Sequence, residues 1–119
     1  MKLSLLLYVL ALKLKGAAKK NPRFRSYIGI MQVRVLIKTV DGKRGRLFIF
    51  DKGAFSTVRG ALHKFDAALI WADSSTAFRV MTSTAPDASF KAAAEGRMKV
   101  EGMPPYIQWF TDGIKLVMG

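Results

Sequence analysis

Few side chains in this 119-residue chain are suited to covalent chemistry. With no cysteine, thiolate nucleophiles, disulfides and thiolate metal sites are excluded together. The one histidine, His63, stands beside Lys64 without a His-Glu-x-x-His spacing, and an imidazole in that setting reads as a surface residue. The 8 carboxylates are dispersed, each near basic residues, and suggest no acid and base pair. There is no Gly-x-Ser-x-Gly. Gly42-Lys43-Arg44-Gly45 has the letters of a phosphate loop but lacks the long glycine spacing and the Lys-Ser/Thr that reach phosphate and metal, so it reads as a hairpin turn. The expectation is a chain that is not an enzyme and holds no metal or cofactor. Its chemical capacity is apolar: Phe48, Phe50, Trp71, Phe78, Phe90, Trp109 and Phe110 are large, and 6 methionines add pliable surface that adapts to varied ligands.

The elements that position these side chains follow from periodicity. Gln32 to Val40 alternates as a half-buried strand, Asp41-Gly42 opens a hairpin, and Arg46 to Asp51 returns with both faces apolar. That pattern requires cover on both sides, or an apolar ligand on one. Lys52-Gly53 turns into a weaker third strand, Ala54 to Arg59, and Gly60 to Lys64 is a loop before a fourth strand, Phe65 to Ala72. Asp73-Ser74 then caps a short helix with Ala77, Phe78 and Met81 inward, and Thr84 to Ala94 is a second short helix presenting Phe90. Arg97 to Glu101 is a strand with Met98 and Val100 on one side. Pro104 and Pro105 suit the first turn of a last helix on which Ile107, Phe110, Ile114 and Val117 recur at helical spacing. Strands grouped apart from helices predict an α+β fold, with a mostly antiparallel sheet of about five strands covered on one face by helices. The length fits one domain over residues 1–119.

The net charge of +12 is concentrated early, since residues 1–40 contain no acid. Leu3 to Leu14 has the spacing of an amphipathic helix. It meets Lys13 too soon to span a membrane and lacks the small-residue cleavage site of a secretory signal. Gly16 reads as its C-cap and Asn21-Pro22 as a turn, so residues 1–30 are expected to be a helix and a basic loop. Lys13, Lys15, Lys19, Lys20, Arg23 and Arg25 form a candidate patch for anionic headgroups, or a solvated run.

Gly96-Arg97-Met98-Lys99-Val100-Glu101-Gly102, running into the apolar last helix, resembles the end of sterol carrier protein 2 domains. Phe65 to Asp73 is similar to that family's aspartate-led strand, Ser74 to Met81 to its next helix, and Asp87 to Ala92 to the segment before the final strand. The resemblance covers about Val33 to Val117. It departs at Met81 to Pro86, where a glycine is usual, and in the greasy N-terminus. It implies a tunnel between the sheet and the C-terminal helix for a fatty acyl, sterol or isoprenoid chain. Met103, Ile107, Phe110 and Ile114 of the last helix and Phe78 and Met81 of the middle one are the expected lining. The reading is then of a cytoplasmic lipid carrier, peripheral at an anionic membrane or at an enzyme partner. Two alternatives stand beside it: a scaffold domain whose groove takes a protein partner, and a small nucleic-acid-binding protein. The second is disfavoured because no helix-turn-helix, zinc or aromatic RNA-binding signature is present.

Overall fold

The computed structural model describes residues 2–83 and 88–118. Alternating residues build an antiparallel meander of β1 (Gln32–Thr39), β2 (Gly45–Asp51) and β3 (Ala54–Arg59). Lys52 and Gly53 join β2 to β3 with positive φ at both, 50° and 95°, the turn whose twist matches that of paired strands. β4 (Ala67–Trp71) adds in parallel to the free edge of β1, and β5 (Met98–Gly102) pairs antiparallel with β4, giving the order β3-β2-β1-β4-β5. The fold is α+β with a mostly antiparallel five-stranded sheet, as the patterning predicts.

Helices cover one face. α1 (Lys2–Lys20), α2 (Pro22–Ile28), α3 (Ser74–Met81), α4 (Ala88–Ala94) and α5 (Pro104–Met118) contribute to one core with Val33, Val35, Ile37, Phe48, Phe50, Leu69 and Trp71. On the opposite face Leu36, Leu47, Ala68 and Ile70 form a second, smaller cluster under Phe65 and beside Ile49. The segment Gly60 to Asp66 has to pass from the β3 edge over β2 and β1 to reach β4, and Phe65 places that crossing on this face. Gly45 lets it pass close, because a Cβ there would lie 3.0 Å from the Ala61 Cα. So both faces of β2 are covered by the chain itself, one by helices and the other by the crossover.

Three expectations are corrected. Gly16 does not end the first helix. Leu14 and Ala17 continue the buried stripe of Leu3, Leu7, Leu10 and Ala11, and Gly16 itself faces open space, so that packing outweighs the roughly 1 kcal/mol a glycine costs inside a helix. The basic loop is helical as well. The Asn21 side-chain oxygen accepts from the Arg23 and Phe24 N–H groups at 3.0 and 3.2 Å, and Pro22 occupies the first turn, so α2 starts at once. Phe90 is turned outward, 78% exposed; the residue α4 buries is Ala92. Thr84 to Asp87, expected to begin that helix, lie outside the described residues.

Candidate functional site

The last helix is aimed by a backbone joint. Asp66 donates its N–H to the Arg34 carbonyl at 2.9 Å, its carboxylate accepts from the Arg34 N–H at 2.8 Å, and its carbonyl accepts from the Met103 N–H at 3.1 Å. Gly102 passes beside it with φ 79°, where a Cβ would stand 2.2 Å from the Asp66 carbonyl oxygen, so no other residue fits. α5 then buries Ile107 in the core, carries Phe110 onto the sheet and sets Gly113 against α2. The Phe110 ring lies 5.2 Å from that of Phe48 and 5.9 Å from that of Phe50. Trp109 meets Phe50 edge-on at 4.9 Å and stacks on Tyr27 of α2 at 5.3 Å, the planes within 8°. Gly113 makes room for Tyr27, whose ring atom Cε2 would be 3.0 Å from a Cβ. The Tyr27 hydroxyl donates to the Trp109 carbonyl at 2.7 Å. Burial, and secondarily the charge of Asp112, raises the Tyr27 pKa above that of an ordinary phenol. Between these groups runs an apolar seam lined by Leu14, Phe24, Tyr27, Phe50, Trp109, Phe110, Gly113 and Ile114, too narrow to admit a water molecule.

The other end of the helical layer is built differently. Asp73 caps α3 by accepting from the Thr76 N–H at 2.7 Å, and that bond holds its carboxyl below the usual range. α3 sends down Ala77, with Val80 and Met81 half-buried against the core, and α4 sends Ala92. Trp71 ends β4 in that core, 1% exposed, opposite Thr39 and Met98 in the strand register. Its indole Nε1 is buried without a hydrogen-bond partner among the described residues.

Of the expected lining residues, Phe110 and Ile114 line the seam and Ile107 is buried in the same core. Met81 packs on that core from α3, Phe78 is half-buried on α3, and Met103 precedes α5 at 55% exposure. Sequence reasoning placed Leu14 on the amphipathic first helix without assigning it to this seam, and missed Phe24 and Tyr27, whose stretch reads as basic. The spacing of Phe24, Tyr27 and Ile28 is the helical signal that would have found them. Lys13, Lys15, Lys19 and Lys20 are exposed on α1, and Arg23 and Arg25 on α2. Outward on α1, Leu5, Val9 and Leu12 also face solvent, at 65%, 38% and 50% exposure. Arg25 joins Ser26 and Lys52 in an open groove of about 580 Å³ at the α1–α2 elbow. His63 sets Nε2 3.0 Å from the Arg59 carbonyl oxygen. Among the described residues no three His, Asp or Glu side chains gather as a metal site, and no helix is long and apolar enough to cross a membrane.

No family model and no curated protein matches the chain. Solved structures do. A UbiJ-SCP2 ubiquinone synthesis protein aligns at TM-score 0.65 and 12% identity over 93% of this chain and 86% of that one. A sterol carrier protein 2 aligns at 0.59 and 14% identity over 92% and 93%. The sterol carrier protein domain 2 of Helicoverpa armigera aligns at 0.59 and 10% identity over 94% and 87%. At such identities the likeness establishes architecture, and on it the chain has the fold of sterol carrier protein 2 domains.

Proposed function

We propose that the protein binds and carries a hydrophobic molecule, of fatty acyl, sterol or isoprenoid type, between the inner sheet face and α5, and does not transform it. The observation that carries this reading is the seam under α5, whose eight lining residues are apolar or aromatic and bring no side-chain polar group beyond one phenol and one indole N–H. Neighbours of the same fold named as sterol carrier and ubiquinone synthesis proteins favour the same ligand chemistry. Loading requires α5 to part from α2, which breaks the Tyr27–Trp109 stack and its hydrogen bond, together worth about 2 kcal/mol. Burying about ten methylenes releases roughly 8 kcal/mol in gross terms, which exceeds that cost. The lysines of α1 and its outward Leu5, Val9 and Leu12 suit an anionic membrane surface, where each basic residue adds on the order of 1 kcal/mol.

The test is native mass spectrometry of gently purified protein, followed by solvent extraction and lipid identification. A stoichiometric apolar molecule is expected, together with uptake of a fluorescent lipid that Ile107→Asp or Phe110→Asp abolishes in a folded variant. A clean protein mass with no uptake of acyl, sterol or isoprenoid probes would overturn the reading in favour of a protein-binding scaffold. Binding to anionic vesicles should weaken as salt rises.

A further inference from the structure

From the indole N–H of Trp71 we infer that the carried molecule ends in a neutral oxygen that accepts a hydrogen bond and donates none, a carbonyl or ether rather than a hydrocarbon end or a carboxylate. The inference rests on the carrier reading and narrows its ligand class. Nε1 is a donor only, buried with its residue 1% exposed, and has no partner among the described residues. A buried donor left unmade costs about 1–3 kcal/mol, which a ligand acceptor placed there would recover. Trp71 belongs to the same core as the seam residues Phe50 and Phe110. It lies opposite Met98, which like Met81 is half-buried and of a type that shifts easily to admit a chain.

The surroundings select among oxygens. Thr39 and Thr76 are the buried polar residues among those described, and no charged side chain is buried beside them. A carboxylate drawn into this core would therefore meet no cation, and its desolvation would go uncompensated. A hydroxyl would answer the indole but bring a donor of its own. A ketone, quinone or ester carbonyl satisfies Trp71 and adds no new unpaired group.

The test compares a long-chain methyl ketone, the alkane of equal length and the matching fatty acid as ligands of the wild-type chain and of Trp71→Phe, with the Trp71 indole proton followed by nuclear magnetic resonance in the wild type. The ketone should bind about 10-fold more tightly than the alkane. Trp71→Phe should erase that preference while keeping alkane affinity, and the wild-type indole proton should move downfield with ketone alone. Equal binding of ketone and alkane, tighter binding of the acid, or a preference that survives Trp71→Phe would overturn the inference and leave the carrier reading standing. Failure of all three probes to bind would overturn the inference, and the carrier reading falls with it when sterol and isoprenoid probes fail as well. The indole shift needs no variant, so a poorly folded Trp71→Phe does not blunt the test.

Discussion

The two ends of the helical layer rest on the same sheet but meet it with different side chains. Under α5 and α2 the contact is aromatic and tight: Phe48, Phe110, Phe50, Trp109 and Tyr27 touch in that order, with a glycine where the backbone meets Asp66 and another where the Tyr27 ring comes close. Under α3 and α4 the contact is thin. Alanines reach the core, Val80 and Met81 are half-buried, and one indole donor lacks a partner. Tight packing fixes one arrangement, whereas a thin layer with methionines tolerates several. The difference separates a tightly keyed region from a loosely filled one.

Substitutions that break this contrast rank by expected size. Gly102→Ala at the joint into α5 forces a Cβ against the Asp66 carbonyl in a left-handed backbone, and should cost at least about 3 kcal/mol in denaturant unfolding. Phe110→Ala should cost about 3–5 kcal/mol in the same assay, whereas Met81→Ala on the thin side should cost about 1.5 kcal/mol. Equal costs would show that the two ends are packed alike. Tyr27→Phe removes the hydroxyl bond to Trp109 and should cost about 1 kcal/mol while speeding lipid uptake in stopped-flow fluorescence. Asp73→Ala should lose about 1 kcal/mol of cap at neutral pH. Because the folded carboxyl is held below its unfolded value, that stability is present above the unfolded range. It fades as acid protonates the cap, so the two proteins' melting temperatures should converge at low pH.

Much of the fold was legible because its cues are local. The alternation of Val33, Val35 and Ile37, the Lys52-Gly53 turn, the Asp73 cap and the paired prolines of α5 each act over a few residues, and each element forms where its cue stands. The candidate site was legible only in part. Ile107, Phe110 and Ile114 announce themselves by spacing on one helix, but Leu14 joins them from the amphipathic first helix only through tertiary packing, and Phe24 and Tyr27 from a stretch whose charge dominates its appearance. Gly16 misled for a related reason, since the burial of Leu14 and Ala17 around it is invisible to a local cue. Met103 and Phe90 are apolar by type and exposed in fact, and no periodicity distinguishes them from core residues.

The crossover from Gly60 to Asp66 has a kinetic consequence. β4 pairs with β1 across everything that lies between them in the chain, while β1, β2 and β3 close through short turns. Closing the long loop first forfeits more chain entropy than closing it after the meander has shortened it. The hairpins should therefore form early, and the slow step should be the arrival of β4 with Phe65 across their back. β5 and α5 follow only then, because both hang from β4. The α5 clamp should therefore be the last part of the molecule to fold.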